Sequence, residues 1–294
     1  MRLSYVFMGR ISSASLRRVA IPAMLAGLSA CAWPGGEHTE PMYVDAGGQP
    51  LTILRHWPHD AHSFTEGLLV DGPRLYESTG EYGASRLQMI DWRNGKVLAS
   101  RALAADRFGE GLARLGNKLY QLTWKSGVGT IYDATTLNPT GDFHYDGEGW
   151  GLASDGHQLI MSNGSATLTF LSPESFERTR TLTVRENGQP VDQLNELEVI
   201  HGQIWANIWH SDSLLVINPV NGTVLARING HSLRTALASN SCDSACVDHA
   251  GALNGIAFDD AHDRLLLTGK NWPVLFEVAL PPLNLPSAEP SIEP

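Results

Sequence analysis

Apolar residues along the chain fall into short β-rich runs separated by polar turns, and one such arrangement returns five times. The copies are FTEGLLVDGPRLYESTG (64 to 80), FGEGLARLGNKLYQLTW (108 to 124), EGWGLASDGHQLIMSNG (148 to 164), LNELEVIHGQIWANIW (194 to 209) and LNGIAFDDAHDRLLLTGK (253 to 270). Each has two runs about a turn, such as Asp71-Gly72, Gly116-Asn117, Asp155-Gly156 or His201-Gly202. A second strand pair follows, as around Asn94-Gly95 and Asn221-Gly222. With Tyr76, Tyr120, Ile160, Trp205 and Leu266 taken as equivalent, the spacings are 44, 40, 45 and 61 residues, the last stretched by a cysteine-containing insertion. Four strands per repeat of this length predict an all-β fold, a five-bladed β-propeller. Helical repeats are excluded, because the copies are rich in Gly and β-branched residues and keep no 3.6-residue period.

The fifth copy stops after its third strand, PVLFEVAL, where a proline-rich tail begins. LTILRHWPHD (51 to 60) matches the fourth-strand segments of other copies, so the N-terminal strand is expected to complete the last blade and close the ring.

In a propeller the first strand of each blade lines the channel, and antiparallel pairing sets its start beside the end of the second strand. The starts supply Glu66, Glu110, Trp150, Asn195 with Glu196, and Asn254; the ends supply Gly80, Trp124, Gly164, Trp209 and Lys270. Phe64 and Phe108 stand two residues before their glutamates. Equivalent positions differ from blade to blade, as an asymmetric site requires. Aromatic faces and carboxylates suit a small, partly cationic ligand, and a carboxylate among indoles gains a raised pKa suited to proton transfer.

The ends of the chain read differently. Residues 1 to 18 are basic, 19 to 30 are apolar, and Leu28-Ser29-Ala30-Cys31 resembles a bacterial lipobox, so residues 1–30 read as a cleaved lipoprotein signal with Cys31 lipidated. Residues 31–50 read as a tether, 51–280 as the propeller and 281–294 as a flexible tail. An exported, periplasmic, membrane-anchored protein follows, and in that oxidising compartment Cys242 and Cys246 are expected to pair. A metal site of Cys242, Cys246 and His249 lacks the paired ligand clusters of structural zinc. The formal charge of -10 argues against a nucleic-acid partner and suits peptides arriving with a positive N-terminus.

The segments FTEGL, ESTGEYG, FGEGL, LTW, WGL, LNELE, IWANIW and LNGIAFD with TGKNWP resemble the β-propeller glutaminyl-peptide cyclotransferases of plants and bacteria, in order and in every blade from about residue 50 to 280. The resemblance implies conversion of N-terminal glutaminyl to pyroglutamyl residues of peptides or proteins with release of ammonia, without metal or cofactor. It implies Glu110 as the catalytic carboxylate and Phe64, Glu66, Phe108, Trp124, Trp150, Asn195, Trp209 and Lys270 as pocket residues. Lys270, Asn195 and an indole N–H of Trp124 or Trp209 are then candidate oxyanion donors. A monomer is expected. Competing readings are a propeller lactonase or quinone-dependent dehydrogenase, which would need a metal or cofactor cage that this ring does not offer, and a non-catalytic propeller that binds peptide N-termini.

Overall fold

A computed structural model describes residues 48–240 and 244–283; Cys31, where lipidation is expected, the cysteine Cys242 and the tail beyond 283 lie outside the described residues. Five four-stranded antiparallel sheets follow one another in chain order. Blade 1 spans Thr65–Asp71, Arg74–Thr79, Arg86–Asp91 and Lys96–Ala102; blade 2 spans Gly109–Leu115, Lys118–Thr123, Val128–Asp133 and Pro139–His144. Blade 3 spans Leu152–Ser154, Leu159–Met161, Thr167–Leu171 and Arg178–Thr183, and blade 4 spans Leu194–Ile200, Gln203–Ile208, Ser213–Ile217 and Val224–Asn229. Blade 5 takes Leu253–Asp259, Arg264–Gly269 and Val274–Ala279 from the end of the chain, and its outer strand is Ile53–Pro58. The ring therefore closes as the sequence predicts.

The turn dipeptides work as expected: Gly72, Gly95, Gly116, Gly156, Gly202 and Gly222 all have positive φ. Apolar side chains form five clusters, one for each junction between neighbouring blades. The insertion between blades 4 and 5 contains two helices, His231–Asn240 and Ser244–His249, and Leu233 and Leu237 of the first fill the blade 4/5 cluster. Just before the propeller's expected start, Gln49–Pro50 pairs in parallel with the outer strand of blade 4.

Glycine at the inner strands permits the tight axis. A Cβ on Gly111 would lie 2.4 Å from the Leu152 nitrogen, and one on Gly151 would lie 2.0 Å from the Asn195 carbonyl. Blade 4 carries Glu196 at the equivalent place. Its buried carboxylate accepts the backbone N–H groups of Leu68 at 3.2 Å and Ile256 at 2.9 Å, tying blade 4 to blades 1 and 5 across the axis.

A second buried link crosses the closure seam. The His59 ring donates from Nε2 to Glu77 at 3.0 Å and from Nδ1 to the Trp272 carbonyl at 2.6 Å. Both ring nitrogens face acceptors, so only the doubly protonated imidazolium satisfies both. Burial alone would lower the pKa of His59, but the Glu77 carboxylate and its hydrogen bond prevail and raise it above 6.5. Glu77 also accepts the hydroxyls of Thr65 (2.7 Å) and Ser63 (3.2 Å) on the strand leading to Glu66.

Removing one partner of such a pair is expected to cost about 3 to 5 kcal/mol. Because the folded pKa of His59 is raised, the pair's contribution is fully present below about pH 6.5 and is lost as pH climbs through the folded value. Urea midpoints of Glu77→Ala should therefore lie well below wild type in mild acid, with the gap narrowing in base. A gap that does not change with pH would show that His59 is not charged in the folded state.

Candidate active site

The residues gathered at the mouth are those that the inner strands extrude. In blade 1 the register slips between Thr65 and Gly67, leaving Glu66 unpaired in the ladder. In blades 2, 4 and 5 the slips leave Glu110 with Gly111, Asn195 with Glu196, and Asn254 with Gly255. Bulges of this kind bend the strand and redirect a side chain, here toward the mouth. In blade 3 the equivalent Trp150 precedes the strand, with its N–H donated to Ser162 and its carbonyl accepting the Gly111 N–H at 2.6 Å.

The glycines at the second-strand ends act as sockets for the aromatic rings. A Cβ on Gly80 would meet Phe108 at 2.3 Å and Phe64 at 3.0 Å, and one on Gly164 would meet the Trp150 ring at 2.7 Å. The rings then pack edge to face: Phe64 against Phe108 (6.0 Å between centroids), Phe108 against Trp124 (5.7 Å) and against Tyr82 (5.4 Å), and Trp150 against Trp209 (5.3 Å).

Within this collar lie two buried carboxylates. Glu66 accepts Lys270 Nζ at 2.6 Å and Asn254 Nδ2 at 3.1 Å, and Lys270 stands 4.5 Å from the Phe64 ring centre. Burial raises the pKa of Glu66, although Lys270 pulls it down. Glu110 is buried too, and its carboxylate receives no hydrogen bond from the described residues. Burial first, and then the nearby charge of Glu66, lift Glu110 well above the usual carboxylate range. Asn195 is 3% exposed, and its side-chain amide makes no hydrogen bond among the described residues; Oδ1 is buried and unpaired.

All nine residues expected in the pocket thus stand at one mouth, with Trp209 outermost at 36% exposure. One expectation fails in detail. The indole N–H of Trp124 is not free to serve an oxyanion, because it donates to Glu148 Oε2 at 2.8 Å; the same oxygen accepts the Trp150 N–H at 3.1 Å. Lys125 lies 3.7 Å from the Trp124 ring centre and 3.7 Å from Glu148. Burial works against the charge, but the two indoles and Lys125 hold Glu148 below the ordinary carboxylate range. The sequence did mark its place: Glu148 stands two residues before Trp150, as Phe64 and Phe108 stand before Glu66 and Glu110. Asn207, opposite the blade 4 bulge, carries no comparable mark; its Oδ1 accepts the Gly255 N–H at 3.0 Å and its Nδ2 is buried and unpaired. Among the described residues no group of three or more His, Cys, Asp or Glu side chains could hold a metal ion.

Comparison with known proteins agrees along most of the chain. The glutamine cyclotransferase family model matches residues 28–280. A glutaminyl-peptide cyclotransferase of Arabidopsis thaliana is 40% identical over 234 residues, covering 78% of this chain and 71% of the relative. The crystal structure of a Myxococcus xanthus glutaminyl cyclase superposes with a TM-score of 0.71 at 36% identity, covering 78% of this chain and 96% of the other.

Since one carboxylate orients two indoles, Glu148→Ala should alter the near-UV circular dichroism in the tryptophan band and leave the far-UV spectrum intact. An unchanged near-UV spectrum would mean that packing alone orients Trp124 and Trp150.

Proposed function

The chain belongs to the glutamine cyclotransferase family, and from that premise we propose that Glu110 carries the proton in its reaction. The activity is glutaminyl-peptide cyclotransfer: the N-terminal glutaminyl residue of a peptide or protein becomes pyroglutamyl and ammonia leaves. The acyl carbon passes from the side-chain amide nitrogen to the α-amine of the same residue, which makes the reaction an acyl transfer.

Attack is intramolecular, so the collar's first task is to hold the side chain curled with its amide carbon near the amine, an effect worth several kcal/mol. Phe64, Phe108, Trp124 and Trp150 supply the walls, and Trp209 closes the rim. As the α-amine attacks, Glu110 takes its proton; the same proton is delivered to the departing amide nitrogen, the carbon–nitrogen bond breaks, and ammonia is released. The observation that carries this assignment is the burial of Glu110 beside Glu66 with no hydrogen-bond donor among the described residues. Those surroundings raise its affinity for a proton well above that of an ordinary carboxylate, which suits a group that must take a proton from an amine. With the Trp124 N–H engaged, the amide of Asn195, the ammonium of Lys270 and the indole N–H of Trp209 are the donors we assign to the developing oxyanion. Lys270 also compensates Glu66.

The reaction so written moves one proton between two nitrogens through one carboxylate, and cyclisation should persist in EDTA. We place the mature protein outside the cytoplasm, anchored through Cys31, on the order of its N-terminal residues. A Cys242–Cys246 disulfide is supported by the disulfide-bonded state of Cys246.

Replacement Glu110→Gln keeps size and shape and should lower kcat for ammonia release from a Gln-Xaa peptide by about 10²- to 10⁴-fold. A wild-type rate would remove Glu110 from the proton path. The pH profile gives a second test. The activity needs the Glu110 carboxylate, so kcat/KM should rise with pH through its raised pKa. Glu66→Gln removes the negative neighbour and leaves Lys270 uncompensated, both of which lower that pKa, so the acid limb should move to lower pH. A limb that stays in place would assign it to another group.

A further inference from the structure

Beside the catalytic collar lies a cleft of about 730 Å³ between blades 3 and 4. Trp150 forms its inner wall and Trp209 its outer one, and Asp192, Gln193 and Asn163 supply its polar lining. Trp150 belongs to both places: one side of the residue borders the collar, and its carbonyl holds the N–H of Gly111, next to Glu110. A peptide whose first residue occupies the collar therefore has this concavity directly alongside.

The cleft is built in advance. Gln193 has φ 61° and Gly164 φ 79°, and both are pinned by backbone hydrogen bonds, Gln193 N–H to the Gly164 carbonyl at 2.7 Å and Trp209 N–H to the Gln193 carbonyl at 2.8 Å. Its chemistry is one-sided. The exposed Asp192 brings a negative charge, and among the described residues the buried Gln193 Oε1 has no partner and no Lys or Arg lines the cleft. An aromatic face with acceptors and no compensating cation suits the aliphatic stem and charged head of a basic side chain.

Resting on the cyclotransferase function, we propose that this cleft receives the second and third residues of the substrate peptide and favours Lys or Arg there, with Asp192 as the selecting charge. The exposed position of Asp192 sets the size of the effect at a few-fold.

The test compares kcat/KM for Gln-Lys-Ala, Gln-Glu-Ala and glutaminamide, which has no second residue. Wild type should prefer the Lys peptide over the Glu peptide by about threefold to tenfold, and added salt should flatten that ratio. Asp192→Asn should bring the ratio near one with glutaminamide turnover unchanged, and Asp192→Lys should invert it. Equal ratios in wild type and Asp192→Asn overturn the proposal. So does a ratio that responds to Tyr82→Ala instead, which would send the peptide out over blade 1. Wild-type protein that leaves glutaminamide uncyclised would instead overturn the activity, a result distinct from any change in preference.

Discussion

The ion pair between Glu66 and Lys270 joins the first blade to the last, across the seam where the ring closes. Its partners are 204 residues apart and meet only because Ile53–Pro58 completes blade 5 and brings blade 1 into register beside it. The seam is reinforced underneath by His59 and Glu77, which fix Ser63 and Thr65 just ahead of Glu66. A loosened seam would therefore alter the charge at the mouth as well as the stability of the ring. Fold closure and site electrostatics are parts of one buried network.

That network explains how carboxylates can crowd one end of a narrow axis. A buried charge is tolerated when it is paired or hydrogen-bonded, and otherwise it takes a proton. Glu66 has Lys270 and Asn254, Glu196 has two backbone N–H groups, and Glu110 has neither. Burial raises the pKa of all three, and in the proposed reaction Glu110, the one that no donor holds, is the carboxylate that exchanges a proton during turnover. Glu148 orients two of the collar's indoles from the outside.

Much of this was legible beforehand. Five spaced copies specify five blades, the unmatched third strand of the last copy calls for the N-terminal segment, and the two ends of each inner hairpin locate the mouth. Glu110, Glu66, Lys270 and the aromatic residues all follow from that register. Other features were hidden for identifiable reasons. Glu77 sits in the middle of an ordinary second strand, and His59 lies just past the closing strand; nothing local shows that they touch. Glu148 holds a position that two other blades give to phenylalanine, but it was not among the expected pocket residues, because the indoles it binds could not be read from the chain. The bulges are also invisible in sequence, since the extra residue of a slipped ladder shows only against the strand it pairs with.

The sequence by itself determined the turns, the blade count and the inventory of side chains delivered to the mouth, because these depend on residue conformational preference and on spacing along the chain. The tertiary structure decided which carboxylate is paired and which is bare, and that the Trp124 N–H is already engaged. It also decided that the cleft beyond Trp150 opens onto Asp192. Those outcomes depend on contacts between blades that are remote in the chain, and such contacts take definite distances only when the ring is closed.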